Sequence, residues 1–372
     1  MKPKRMDSAG MAALHLGNAA TCYAHLQHHA PASITDISQA TKLTRPTIAA
    51  ALKTLQSFQL VSEASKPSER FGRPARLYEL NSDSPKVLAI TEERDHRRLL
   101  LGRLNGDVIS SISIKRTAEM NTVASLKLSI EDFLSKNDDS ITEIRAVGIA
   151  ISGTVDNQGT ILRSTRCPYL EGSELSDELS EMFPLVAIEN DANLAACSEG
   201  TWGSARDNST VIYVSVGNRI VTGIYSNGTI VRGSFFNAGE IADFMDNTFF
   251  PAFLPSTVEQ NPSETQAPIL EGVAAMTAMI CRVIDPDAVV LAGQLMESSP
   301  ELLTALTQTL KRASNPNSHP TITTPVFAAD AALAGAFIIA LDKALQDIFC
   351  QRVTVAPISD IDSVRSTHAS NR

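Results

Sequence analysis

The sequence lacks a long apolar run, paired cysteines and an N-terminal export signal. No stretch of the 372 residues approaches the ~18 uninterrupted apolar residues that cross a bilayer. The first ten residues contain no apolar segment of the kind that directs secretion. We therefore expect a cytoplasmic protein.

Cysteine and histidine are too scattered to indicate a metal centre. The five cysteines are far apart without a CxxC pair, which argues against a disulfide framework and against a zinc site and favours buried thiols. His25, His28 and His29 cluster at the end of a helix predicted from Met11 to about His29. The end of a helix favours partly cationic side chains, and metal binding is the alternative.

Charge is distributed unevenly along the chain. The net charge is −9, yet residues 1–80 hold ten lysines and arginines against five acids. A basic segment joined to an acidic remainder directs polyanions to the basic segment alone. The length predicts two or three domains, and 43% hydrophobic content is typical of globular proteins.

Residues 33–79 follow the pattern of two short helices and a hairpin. Ser33 and Asp36 have the spacing of a capping box at the start of the first helix. Thr44 offers an N-cap for the second, and Pro46 lies in its first turn, where a missing N–H costs nothing. An amphipathic helix pair alone is as often ordinary core as a binding element.

The hairpin and the outer face of the second helix favour a DNA-binding element over ordinary core. Short or basic side chains at the start of a helix let its backbone approach base edges in the major groove. An arginine between a glycine and a proline, at the hairpin tip, suits a narrow minor groove. We predict a winged helix-turn-helix over residues 1–80. Its predicted DNA contacts are Thr44, Arg45, Pro46, Thr47, Ala50, Lys53, Arg70, Gly72, Arg73, Pro74 and Arg76.

The remaining residues alternate between strands and helices, which predicts a two-lobed α/β body. A short polar linker at residues 81–85 precedes it. The predicted elements are buried strands at 145–151, 185–189 and 288–292, a meander over 211–231 and a small-residue helix at 331–345.

Several segments of this body carry a family resemblance. They are AVGIAISGTVDNQGTIL, VAIENDANLAACSEGTWG, YVSVGNRIVTGIYSNGTIVRG, NAGEIADFM, PDAVVLAGQL and AALAGAFIIAL. In this order they resemble the ROK family, which comprises sugar kinases and sugar-responsive repressors. The resemblance implies an actin-like, hexokinase-like (ribonuclease H-like) fold. It further implies a first lobe of residues 86–193 plus 331–350, a second lobe of 194–330 with the dimer contacts and ligand cleft, and a tail at 351–372.

The resemblance also implies which residues hold a sugar. Asn190 and Asp191 match the family's sugar-binding loop, whose aspartate is the catalytic base of the kinases, and Glu240 matches a second sugar-contacting acid. Gly153 matches a glycine that admits the sugar, and Asp243 replaces a histidine that contacts sugar and metal. A carboxylate beside an amide clamps adjacent hydroxyls well. The alternative is that Asn190 or Asp191 only caps the following helix.

Four aromatic and acidic residues extend this candidate site. Tyr169 and Glu171 lie where the family has a substrate-facing loop. Phe235 and Phe236 replace small residues beside the site. They either stack on the apolar face of a sugar or fill the pocket.

The departures from the family pattern concern phosphate and zinc. At residues 90–95 the kinase phosphate loop has no glycine and two added carboxylates, which would repel phosphates. The second and third phosphate loops are reduced to residues 217–221 and 292–294. The zinc-binding histidine and cysteine loop are missing. We therefore expect no enzymatic activity, no metal and no cofactor.

These observations predict a DNA-binding transcriptional regulator, a repressor of sugar-metabolism genes. Its partners would be operator DNA, a sugar or sugar-phosphate effector and a second copy of the chain in a homodimer or tetramer, with no membrane. Two alternatives stay open: a sugar kinase that carries a DNA-binding segment, and a ligand-independent regulator whose body serves only for dimerisation.

Overall fold

The structure is a computed structural model. It describes residues 8–64, 76–164, 166–216, 220–241, 262–293, 303–304, 307–309 and 319–353. Within these ranges, no helix has both the length and the apolar character needed to cross a membrane.

The N-terminal residues form three helices and a small sheet. The elements are Ser8–His29 (α1), Ala32–Ser33 (β1), Ile34–Thr41 (α2), Arg45–Ser57 (α3), Val61–Glu63 (β2) and Leu77–Leu80 (β3). The strands are antiparallel, in the order β1-β3-β2. We call residues 8–80 the head.

Local side-chain chemistry explains where the head's helices begin. Both bonds of the predicted capping box between Ser33 and Asp36 are present at the start of α2. Thr44 accepts a hydrogen bond from the backbone N–H of Thr47 at the start of α3. Lys42 has φ 61° in the turn between the helices. The predicted caps are therefore confirmed.

The body contains two five-stranded sheets with the same topology. The first consists of Lys86–Glu92 (β4), His96–Arg103 (β5), Val108–Lys115 (β6), Ile144–Ile151 (β7) and Val186–Asn190 (β10), in the order β10-β7-β4-β5-β6. The second consists of Thr210–Val216 (β11), Ile220–Ser226 (β12), Thr229–Ile230 (β13), Ala288–Ala292 (β14) and Thr321–Thr323 (β15), in the order β13-β12-β11-β14-β15. In each sheet three antiparallel strands are followed by two parallel ones.

The described part of the body also contains five α-helices and one hairpin. They are Val123–Lys136 (α4), Thr154–Val155 (β8), Ile161–Arg163 (β9), Leu175–Ser180 (α5), Asp191–Thr201 (α6), Pro262–Ile284 (α7) and Ala331–Phe349 (α8). All the strands and helices predicted for the body are found, with ends that differ by a few residues. The hairpin β8–β9 was not predicted.

Helix α8 lies at the centre of the body and packs on small residues. A Cβ added to Gly148 of β7 would lie 2.0 Å from the carbonyl oxygen of Ala336, and one on Gly335 would lie 2.1 Å from that of Leu194. Both clashes are with backbone atoms, so no side-chain rearrangement would relieve them. These glycines let α8 approach both β7 and α6 closely.

The head packs against the far end of α8. The Tyr23 ring is fully buried with its centroid 5.7 Å from that of Phe349, and its hydroxyl donates to the carbonyl of Leu104 at 2.9 Å. The predicted linker is a packed turn in which Ser84 is buried and its hydroxyl accepts from Asn105 N–H at 3.2 Å. One apolar cluster therefore runs from the head into the body.

Four of the five thiols are buried, as expected, but Cys350 is exposed. It follows the last residue of α8 and adopts a left-handed conformation with φ 53°. The expectation of five buried thiols is wrong at this position, because the apolar pattern ends with the helix.

The close packing of α8 predicts unequal effects of glycine substitutions. Gly335→Ala should lower the free energy of unfolding by about 3 kcal/mol or more, because its Cβ meets backbone. Gly17→Ala, inside α1, has its nearest neighbour 3.8 Å away and should gain roughly 0.5–1 kcal/mol. Urea unfolding measures both. Equal effects of the two substitutions would contradict this packing.

Candidate functional site

The outer face of α3 presents the predicted base-contacting residues together. Thr44, Arg45, Pro46, Ala50 and Lys53 are exposed. Ile48, Ala51, Leu52 and Leu55 face the core and are buried. The head therefore exposes two cations on a helix face that carries no acid.

The predicted hairpin is described only at its base. Arg76, the residue before β3, is 75% exposed and pairs at 3.0 Å with Glu63, the last residue of β2. The remaining predicted hairpin contacts, Arg70, Gly72, Arg73 and Pro74, lie outside the described residues. Half-buried Thr47 shares a 2.8 Å hydrogen bond with the Thr44 hydroxyl, so both side chains are engaged at the start of α3.

In the body, three of the predicted ligand residues meet where β10 ends. The Asn190 amide nitrogen donates to the carbonyl of Gly153 and to the Glu240 carboxylate, each at 2.9 Å. The Asn190 side-chain oxygen accepts from Asn193 N–H at 3.0 Å and so caps α6. Capping and the contact with Glu240 therefore coexist in one side chain.

Gly153 is required by packing against β9. A Cβ on this residue would lie 2.1 Å from the carbonyl oxygen of Arg163. Its own carbonyl then points at Asn190. This contact explains the glycine without reference to a ligand.

Glu240 is positioned by the turn before it. Gly239 has φ +86°, a conformation that favours glycine, and its carbonyl accepts from the Thr222 hydroxyl of β12 at 2.6 Å. Asp243 lies outside the described residues.

Asp191 instead lines the cleft between the two sheets. This cavity has a volume of about 660 Å³ and is walled by β7, β11, β14 and the start of α8. Burial raises the pKa of Asp191 to about 6, although the nearby Arg166 cation acts in the opposite direction. A carboxylate with a raised pKa in a cleft is typical of functional sites.

The sequence did not single out the ion pair beside this group. Glu189, buried next to Asn190, accepts from Arg232 at 2.5 Å and from the Asn193 amide at 3.0 Å. Glu189 is the first residue of the segment ENDAN (residues 189–193), but no local pattern in the sequence indicates Arg232 as its partner.

The two added carboxylates, Glu92 and Glu93, also line the cleft, and both are paired with arginines. Glu92 is fully buried and accepts from Arg97 at 2.7 and 3.0 Å, with Arg116 3.0 Å away. Glu93 pairs with Arg98, which also donates to Asp330 at 2.6 Å. These cations match the charge of the two carboxylates, so the predicted repulsion of phosphate is offset at this position.

Three of the residues expected to extend the candidate site, Tyr169, Glu171 and Phe235, have different surroundings. The Tyr169 hydroxyl donates to Glu92 at 2.5 Å, and Glu171 accepts from Ser164 N–H. Burial and the Glu92 charge raise the pKa of Tyr169, so it stays protonated as this donor. Phe235 is 81% exposed, so it fills no pocket here. No group of three metal-binding side chains occurs within the described ranges.

Comparison with known proteins identifies the family. The profile of the ROK family matches residues 88–245 and 256–343. The chain belongs to the ROK family.

Named ROK relatives include both regulators and kinases. The chain is 24% identical to the xylose repressor of Bacillus subtilis over 218 residues, 57% of this chain and 56% of that protein. It is 31% identical to the beta-glucoside kinase of Listeria innocua over 147 residues, 39% of this chain and 48% of the kinase. The chain therefore spans about half the length of the curated relatives it matches.

Among solved structures, a ROK family transcriptional regulator described as a homolog of the Escherichia coli MLC protein superposes with a TM-score of 0.69. It covers 91% of this chain and 97% of its own, at 18% identity. At this identity the likeness concerns the fold. It confirms the predicted mixed α/β fold of the ROK kinase type.

The raised pKa of Asp191 predicts a pH-dependent stability. A folded pKa of about 6 lies above the ordinary 3.8, so ionisation on raising the pH from about 4 to 6 destabilises the folded state. Asp191→Asn removes this cost and should be more stable than the parent chain at pH 8 by about 1–3 kcal/mol, with the gap closing toward pH 4. Urea unfolding at several pH values measures it. A gap that does not change with pH would contradict the burial effect.

Proposed function

We propose that this ROK protein is a DNA-binding transcriptional regulator, a repressor of sugar-metabolism genes whose DNA affinity responds to a sugar or sugar phosphate in the cleft. The observation that carries the proposal is the head. Its element order is the one expected of a winged helix-turn-helix, and α3 is capped and exposes the cations Arg45 and Lys53 on its outer face.

Charge supports the assignment of DNA to the head rather than to the body. The predicted contacts bring cations to the outer face of α3, and Arg76 adds one at the base of the hairpin. The remainder of the chain carries the acidic excess. Duplex DNA would therefore approach the head with its polyanionic backbone and avoid the body.

The polar groups in and beside the cleft support a hydroxyl-rich ligand. Asp191 offers a carboxylate acceptor in the cleft. Beside it, the Asn190 amide and the Glu240 carboxylate, now bonded to each other, would offer a donor and an acceptor to a sugar hydroxyl, which both donates and accepts. The proposed ligand residues are Gly153, Asn190, Asp191, Glu240 and Asp243. We propose that the first lobe is 86–193 with 331–350 and the second 194–330, after a linker at 81–85.

Backbone hydrogen bonding supports a regulator in preference to a kinase. A phosphate loop needs free backbone N–H groups. Here β4 continues to Glu92 and pairs with β5, and the N–H of Glu93 donates to the carbonyl of His96 at 3.0 Å. The Glu93 N–H is therefore occupied within this turn, which supports the proposal that the turn does not hold the phosphates of ATP.

A homodimer, or a tetramer built from dimers, would bind a pseudo-palindromic operator. Two α3 helices would then contact half-sites roughly 34 Å apart, one turn of duplex DNA. A ligand would act through its different affinity for two arrangements of the lobes.

The DNA-binding proposal predicts a salt-dependent loss on removing head cations. Genomic fragments retained by the full chain would supply the operator. Arg45→Ala and Lys53→Ala should each weaken operator binding by roughly tenfold, and a residue that contacts phosphate should lower the salt slope by about 1. Arg206→Ala, which removes an exposed arginine of the body, should bind normally. Fluorescence anisotropy measures these affinities. Retention of no specific fragment would refute the proposal.

A second prediction separates the regulator from the kinase. The full chain with ATP and Mg²⁺ should phosphorylate no sugar in a coupled assay with D-glucose, D-xylose and other common sugars, because the Glu93 N–H, at the position of the first phosphate loop, is occupied. A glucokinase serves as the positive control. Turnover above the no-protein rate would establish the kinase alternative.

A further inference from the structure

Two polar contacts join the end of β10 in the first sheet to the loop after β13 in the second. One is the Glu189–Arg232 ion pair, and the other is the Asn190–Glu240 hydrogen bond. We call this pair of contacts the cross-sheet bridge. Consecutive residues of β10 thus bind the first and last parts of one loop, residues 232–240.

Glu189 is the buried anchor of the bridge. Its side chain is 3% exposed, and it accepts from Arg232 Nε, from the Asn193 amide and from the backbone N–H of Asn190. Among the described side chains, Arg232 is the cation paired with it. Removing that cation would leave a buried carboxylate without charge compensation, which is strongly unfavourable.

Arg232 also determines the path of the loop. Its carbonyl accepts from Ala238 N–H at 3.1 Å, which closes the loop on itself. Gly239 is held by the Thr222 hydroxyl at 2.6 Å. The guanidinium therefore fixes the start of the loop to β10, and the closed backbone carries this constraint to Glu240.

The Asn190 amide nitrogen has both hydrogens in use. It faces two acceptors, Gly153 O and the Glu240 carboxylate, and this orients the amide unambiguously. A ligand hydroxyl that accepts from Asn190 must replace one of them. The Glu240 contact is the exchangeable one, because Gly153 O is fixed by backbone packing on Arg163.

We propose that Arg232 is a positioning residue for ligand binding. Paired with Glu189, it keeps Glu240 opposite Asn190 while a sugar hydroxyl replaces the bond between them, so the two sheets stay joined during the exchange. The ligand part of this inference rests on the proposed sugar-responsive function. The positioning part rests on the geometry of the bridge alone.

Hydrogen exchange of the full chain without sugar or DNA tests the positioning role. Arg232→Ala should accelerate exchange of the Ala238, Glu240 and Ile241 amides by roughly tenfold or more, since a charged hydrogen bond that holds the loop is lost. Arg232→Lys should restore part of the protection, and Arg206→Ala should change nothing. Amides of β4 report global stability and should exchange as in the parent chain.

A double-mutant comparison keeps the test decisive. If the two side chains act through each other, Glu189→Gln combined with Arg232→Ala should accelerate loop exchange no more than Arg232→Ala alone. Unchanged loop exchange in Arg232→Ala, or additive effects of the two substitutions, would overturn the positioning role.

Calorimetric titration with D-xylose and D-glucose tests the ligand part. Arg232→Ala should bind the better of these sugars at least roughly tenfold more weakly than the parent chain, with partial recovery in Arg232→Lys. Equal affinity would refute the effect on the ligand. Binding of neither sugar by the parent chain would count against the proposed function, whereas the exchange measurements alone decide the role of Arg232 in the loop.

Discussion

The close contact of α8 with β7 and α6 is the constraint on which the other features depend. Gly148 and Gly335 let backbone meet backbone, so α8 lies tightly across the first sheet and against α6. Its 19 residues extend about 28 Å. Ala331 at one end lines the cleft, and Phe349 at the other packs on Tyr23 of the head. Because one rigid element reaches both places, the head and the first sheet are expected to move together.

This arrangement restricts how a ligand could influence the head. Since Tyr23 joins the head to α8 and to Leu104, which follows β5, a ligand would act mainly by shifting the second sheet relative to the unit of head, α8 and first sheet. Such a shift would change the contacts of the cross-sheet bridge at the end of β10. In a dimer, a change between the two sheets would alter the separation of the heads without any change within a head.

Local features of the sequence predicted local features of the structure well. The capping box at Ser33, the cap at Thr44 and the strand at 288–292 depend on neighbours in the chain, and each is present. The resemblance to the family placed Asn190 beside Glu240, which no periodicity could have done. Contacts between distant residues were not predicted, because nothing local marks Arg232 as the partner of Glu189 or Asp330 as the partner of Arg98.

Glu92 and Glu93, which line the cleft, are further examples of carboxylates whose partners are distant in the sequence or on the next strand. In the sequence, Glu92 and Glu93 are two added carboxylates at the position of the kinase phosphate loop. In the structure three arginines surround them, two of which are adjacent in β5 and point to opposite faces of the strand. A buried carboxylate needs such partners, so Arg97 within a buried strand was a usable signal.

Distance measurement by electron spin resonance between the head and the first sheet tests the central claim most directly. Spin labels at Lys53→Cys in α3 and Leu128→Cys in α4 are both on exposed positions, and Cys350→Ser removes the exposed native thiol. The account predicts one narrow distance distribution that is the same with and without D-xylose or D-glucose. A broad distribution, typical of a head on a free tether, would contradict it.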